Sequence, residues 1–138
     1  KNIKKLKKLK YNVDVICGAN VICHIPDLKN LIKGIDFLLA QKGVFIFEEP
    51  YMGAMFEKVS YDQIYDEHIF IFSVSSVSKI FNLFNMQLID ALPQSTHGGS
   101  MRYVVARKGI HQISNNVDKI LKSEKFFVYT HNLFFIYP

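Results

Sequence analysis

The chain reads as an α/β protein in which parallel strands come first and an antiparallel strand pair lies at the sheet edge. Two apolar runs, Val13–Cys17 (V-D-V-I-C) and Val44–Phe47 (V-F-I-F), flank a segment with helical periodicity, the pattern of a strand–helix–strand crossover. Farther along, Met86–Leu92 and Met101–Arg107 are two more strand-like runs, joined by a connection too long for a tight hairpin.

Val13–Cys17 is short and ends at Gly18, as buried strands of α/β sheets do. Pro26 and Asp27 open a helix, with Asp27 as its N-cap. Leu28, Leu31, Ile32, Ile35, Leu38 and Leu39 recur on one face of it, and Gly43 is expected to end it. Val44–Phe47 then closes at Glu48, Glu49 and Pro50. A long excursion, Tyr51–Ser73, precedes a second helix at Ser76–Asn85, where Val77, Ile80, Phe81 and Phe84 share a side. After Gly109 the pattern weakens: Ile113–Lys125 is compatible with a helix, and Phe126–Pro138 is an aromatic-rich tail without a period. Residues 1–109 therefore read as one partial domain with an insertion at 51–73, and residues 110–138 as the start of a following region.

At 138 residues and 49% apolar composition the chain has room for one globular domain. Its formal net charge of +5 is smaller than the charge of the six lysines in Lys1–Lys10, so the remainder is close to neutral. Those lysines alternate with Ile3, Leu6 and Leu9, which fits a solvated amphipathic helix better than a polyanion-binding arm. No nucleic-acid partner is expected. No apolar run reaches the roughly 18 residues needed to span a bilayer, and the lysines are interleaved with the apolar residues as in no signal peptide; no membrane partner is expected either. Cys17 and Cys23 lack metal-ligand spacing, so no metal is expected here; buried, reduced thiols suit a cytoplasmic protein.

Chemistry concentrates in Val59–Ser73, V-S-Y-D-Q-I-Y-D-E-H-I-F-I-F-S. Tyr65, Asp66, Glu67 and His68 supply a phenol, two carboxylates and an imidazole in four residues, and the run Ile69–Phe72 can anchor them against the body, as a general acid or base requires. A helical turn would put Tyr65 and His68 on one face; an extended chain would pair Tyr65 with Glu67. Asn20 and His24 follow the first strand, at the carboxyl edge where open α/β sheets bind ligands. His24 is equally readable as a helix-opening residue that satisfies nearby backbone. Glu48 and Glu49 emerge at the same edge and could contact a ligand hydroxyl. In P-Q-S-T-H-G-G-S, the pair Gly98–Gly99 lets the backbone approach something closely. An anion is one candidate, with Arg102 nearby, and a plain surface loop is the other.

Four blocks, N-V-I-C-H-I-P-D-L at Asn20–Leu28, F-E-E-P-Y at Phe47–Tyr51, the Y-D-E-H stretch, and H-G-G-S-M-R at His97–Arg102, resemble the sugar C-3′-methyltransferases that act on nucleotide-linked 4-keto-deoxysugars. The resemblance runs from about Val13 to Arg107. It implies a Rossmann-like class I fold, S-adenosylmethionine as cofactor and a nucleotide-linked sugar as substrate. It further implies that a base removes the proton beside the ketone and that donors stabilise the enolate. On that reading His68 is the base, with Tyr65 its main rival, and Glu67 tunes or orients it. Tyr65 and His24 would hold the keto oxygen, and Asn20 would face the methionine portion of the cofactor. His97, Gly98, Gly99, Ser100 and Arg102 would serve the substrate side, with the diphosphate as the anion. A nucleotide- or RNA-binding module and an O- or N-methyltransferase are the alternatives.

The family pattern also has a glycine-rich cofactor turn (GxGxG) after its first strand and a cysteine-rich zinc domain ahead of it, and neither is visible here. The expectation is an internal piece of a roughly threefold longer enzyme, carrying strands four to seven, with zinc bound only in the preceding domain. Such a piece would leave Val13–Cys17 as a hydrophobic edge, inviting association, and would be inactive alone.

Overall fold

The computed structural model describes residues 12–130; the lysine-rich start and the end of the aromatic tail, from residue 131, lie outside the described residues. Among the described residues four strands form one mixed sheet: β1 (Val13–Ala19), β2 (Leu39–Pro50), β3 (Met86–Gln94) and β4 (Ser100–Arg107), in the order β1-β2-β4-β3. β1 pairs parallel to β2, and β4 pairs antiparallel to both β2 and β3. The α/β expectation, parallel strands followed by an antiparallel pair, holds. β1 is an outer strand with exposed Val15, as expected of a hydrophobic edge.

Helix α1 (Leu28–Leu38) makes the crossover between the parallel strands, and Asp27 caps it as expected, accepting from Asn30 N at 3.0 Å. It ends five residues before Gly43, however, because Leu39 already begins β2. The cause lies far along the chain. The Arg107 guanidinium of β4 pairs with the Asp36 carboxylate and donates to the carbonyls of Asp36 and Leu39 at 2.6 and 2.8 Å. It thereby satisfies carbonyls that the end of a helix leaves unpaired. Gly43 is instead a point of close approach, since a Cβ there would lie 2.9 Å from Asp14 O.

The core lies on one face of the sheet. Phe45, Phe47, Met101, Tyr103 and Val105 point into it with the period of two that a strand imposes. A register shift between Leu88 and Asp90 lets both Leu88 and Ala91 of β3 join them. Ile32 and Ile35 of α1 and Val77 and Phe81 of α3 (Val74–Asn82) cover that face. Phe47 is the hub, with ring centroids 4.9 Å from Tyr103 and 5.8 Å from Phe81. Truncating such a residue to alanine costs about 3–5 kcal/mol.

The excursion contains α2 (Met52–Lys58) and a single 3₁₀ turn, Tyr61–Gln63. Its anchor is chiefly Phe72, which is 4% exposed, while Ile69 is half exposed. Helix α4 (Asn115–Thr130) packs on β3, contributes Val117 to the core, and uses Glu124 to cap α3 from outside. That carboxylate accepts from Val74 N, Ser75 N and the Tyr51 hydroxyl at 2.7, 2.9 and 3.0 Å, an anion placed where the helix dipole favours one. No described helix is long and apolar enough to cross a membrane.

Candidate active site

Two loops meet at the carboxyl ends of β1 and β2. The first leaves β1 at Asn20, whose left-handed backbone (φ 52°) turns the chain while its N–H donates to Glu48 O at 2.8 Å. Val21 N and Ile22 N then both donate to Oε1 of Glu49, at 3.1 and 2.7 Å. Ile22–His24 forms a 3₁₀ turn, and Cys23 O accepts from Phe70 N at 3.2 Å. His24 is therefore fixed from two sides, by the end of β2 and by the excursion.

Glu49 is fully buried. The sequence marks it only as a carboxylate at a strand end; its work on the 21–22 amides depends on two strands lying side by side. Its other oxygen, Oε2, is buried without a hydrogen-bond partner. Burial, and then the Glu49 carboxylate beside it, push the Cys23 thiol up to about 12. Cys23 is the buried thiol that was expected, whereas Cys17 is exposed, because the outer strand β1 has no described neighbour over that side chain.

The Y-D-E-H stretch closes over His24. His68 N donates to Tyr65 O at 3.0 Å, a single turn that brings Tyr65 and His68 to one side, their ring centroids 4.0 Å apart. The His24 and His68 rings lie 5.1 Å apart. Carbonyl oxygens only accept, so hydrogen bonds from His68 Nδ1 to Gln63 O (2.9 Å) and from His24 Nδ1 to Glu67 O (2.7 Å) place a proton on Nδ1 of both rings. His68 Nε2 accordingly accepts from the Tyr65 hydroxyl at 2.8 Å. Desolvation first, then Cys23 and Glu67, raise the Tyr65 phenol above its ordinary value, so it stays a donor. Glu67 enters this network through its main chain. The orienting role expected of its side chain toward His68 belongs to the carbonyl of Gln63.

The second loop joins β3 to β4 and is already satisfied within the protein. Asn20 Nδ2 donates to His97 Nε2 at 3.1 Å, while Asn20 Oδ1 is buried and unpartnered. Glu48 accepts from Thr96 Oγ1 at 2.7 Å and from Arg102 at 2.9 and 3.2 Å; the Thr96 bond and then Arg102 hold its carboxyl below the usual range. The Arg102 charge expected for an anion is thus paired with Glu48. Of the two glycines, Gly99 is buried and Gly98 is exposed. A Cβ on Gly99 would lie 2.4 Å from Ala54 Cβ of α2, and Gly98 O accepts from Lys58 Nζ at 2.6 Å. Ser100 is buried, its hydroxyl donating to Thr96 O at 3.2 Å. What the Gly-Gly backbone approaches is helix α2.

A family profile described as a methyltransferase domain matches residues 2–91. Among characterised proteins, a C-methyltransferase, NovU, of Streptomyces niveus is 29% identical over 112 residues, 80% of this chain. The chain spans about a quarter of that relative, 27% of its length. Two solved structures are similar in part. Magnesium protoporphyrin IX methyltransferase (ChlM) of Synechocystis PCC 6803, with bound SAH, has a TM-score of 0.48 and 14% identity over 71% of this chain and 46% of its own. M1.HpyAVI has a TM-score of 0.46 and 13% identity over 77% of this chain and 49% of its own.

Proposed function

The chain belongs to the methyltransferase domain family, and from that premise we propose that, within a longer protein, it transfers a methyl group from S-adenosylmethionine to a carbon beside the ketone of a nucleotide-linked deoxysugar. The observation that carries this reading is the Tyr65–His68–His24 cluster, a phenol and two imidazoles pre-oriented by carbonyls at the carboxyl edge of parallel strands. A relative described as a C-methyltransferase supports carbon as the acceptor.

Carbon beside a ketone is a poor nucleophile until its proton is removed, and removal is feasible only if the enolate oxygen is stabilised as it forms. His68 has the lone pair for that proton on Nε2, and its Nδ1–H to Gln63 O supports the positive charge it gains. As the keto oxygen enters, the Tyr65 hydroxyl turns from Nε2 to that oxygen, freeing the base and supplying the donor in one movement. His24 can also donate from Nε2, but only as the doubly protonated ring, because its Nδ1–H is held by Glu67 O. For the cofactor, the buried Oδ1 of Asn20 is an unpartnered acceptor that fits an ammonium group such as that of its methionine portion. S-adenosylmethionine, when bound, supplies the electrophilic methyl group. His97 stands beside Asn20 and would border the substrate.

The test uses the longer protein with His68→Asn. Methyl transfer should fall by about 10²–10⁴-fold with cofactor affinity kept; near-normal turnover would remove His68 from this role. In D₂O without cofactor, the parent should also wash deuterium into the carbon beside the ketone. An O- or N-methyltransferase would not.

A further inference from the structure

Cys23 has no part in the reaction above, and its spacing from any histidine suggested no metal site. Folding changes that. The Cys23 sulfur and one ring nitrogen each of His24 and His68 all lie within 4.8 Å of one another. We propose that Cys23, His24 and His68 form a site for a thiophilic divalent cation of the zinc class, and that filling it switches off the base.

The donor set, one sulfur and two imidazole nitrogens, matches borderline-soft zinc and cobalt and not magnesium or calcium. Both imidazoles are held the way metal-binding histidines are held, with Nδ1–H on a carbonyl, Glu67 O at 2.7 Å and Gln63 O at 2.9 Å; the His24 Nε2 lone pair is left for an outside partner, and that of His68 is engaged only by the exchangeable Tyr65 hydroxyl. Cys23 sits in a turn fixed by Glu49 and by Phe70 N, so its position is rigid. The buried Glu49 carboxylate, which holds the 21–22 turn through Oε1, also acts on the Cys23 thiol, a carboxylate beside the site that favours a cation. Nitrogen and sulfur ligands around a tetrahedral zinc stand roughly 3.3–3.6 Å apart, so groups lying within 4.8 Å of one another need close by at most about 1.5 Å, within reach of side-chain rotation. As the S–metal bond forms, the S–H bond breaks and its proton leaves to water, with no change of oxidation state. At His68 the cation takes the Nε2 lone pair and displaces the Tyr65 hydroxyl. Binding stands on this geometry alone; the loss of activity rests on His68 being the base.

The untagged, reduced 138-residue chain is titrated with Co²⁺ and then Zn²⁺. One equivalent of Co²⁺ should give a thiolate-to-cobalt absorption band and the intense visible bands of a tetrahedral site, and Zn²⁺ should bleach both. Cys23→Ser should abolish the thiolate band and weaken Zn²⁺ binding at least tenfold. His24→Asn, at a half-buried position, should weaken it similarly and serves if Cys23→Ser does not fold. Cys17→Ser should change nothing. Absence of the thiolate band in the parent chain, its persistence in Cys23→Ser or its loss in Cys17→Ser would overturn the site. In the longer protein, Zn²⁺ should inhibit methyl transfer, and Cys23→Ser should blunt that inhibition at least tenfold. Tight zinc binding without inhibition would leave the site standing and defeat the His68 assignment instead.

Discussion

The two loops at the carboxyl edge carry similar residues and have opposite fates. In the first, His24 meets Tyr65 and His68 of the excursion, bonded so that each Nδ1 proton position is set while Nε2 lone pairs and a phenol remain exchangeable. In the second, Arg102 and Glu48 pair, Gly99 abuts Ala54, and Ser100 is buried. The lesson is that residue type signals chemistry only where the fold leaves hydrogen-bonding capacity open. An arginine opposite a carboxylate, or a glycine against a helix, has already found its partner.

The contrast can be broken most sharply by catalysis. In the longer protein, Tyr65→Phe and His24→Asn should each lower carbon methylation about 100-fold or more, while Arg102→Ala should stay within a few-fold of the parent; equal losses in steady-state turnover would erase the distinction. Next in size is Glu49→Ala, which leaves two amides of the first loop unpaired and should cost about 3 kcal/mol in urea unfolding. An unchanged midpoint would mean that loop stands without Glu49. Gly99→Ala meets both a clash with Ala54 and a φ of +133°, and should cost about 2 kcal/mol. Loss of affinity for an anionic substrate with stability intact would instead restore the second loop as an anion cradle.

The smallest effect is the Glu48–Arg102 pair. The Glu48 carboxyl is lowered in the folded state, so its stabilisation is complete above the unfolded value near 4.5 and is lost as pH falls through the lower folded value. Arg102 is 45% exposed, which screens the pair. Arg102→Ala should therefore cost under about 1 kcal/mol at pH 7 and less than that at pH 3, compared by urea midpoints. A larger loss at pH 3 than at pH 7 would reverse the sign.

Much of this protein is written in local pattern. Four strands, the Asp27 cap and the amphipathic faces of α1 and α3 follow from alternation, capping chemistry and spacing, all of which act over a few residues, whereas the choice between pairing Tyr65 with His68 or with Glu67 is left to the fold. Contacts between distant residues are not so encoded. Arg107 ends α1, Glu124 caps α3, Glu49 holds the turn before His24, and Ala54 occupies the approach made by Gly99. Each joins groups 27 to 71 residues apart or on separate elements, and a side chain's partner at such range depends on how the strands are ordered. Hydrogen-bonding need is visible in a residue's name; only packing decides which neighbour meets it.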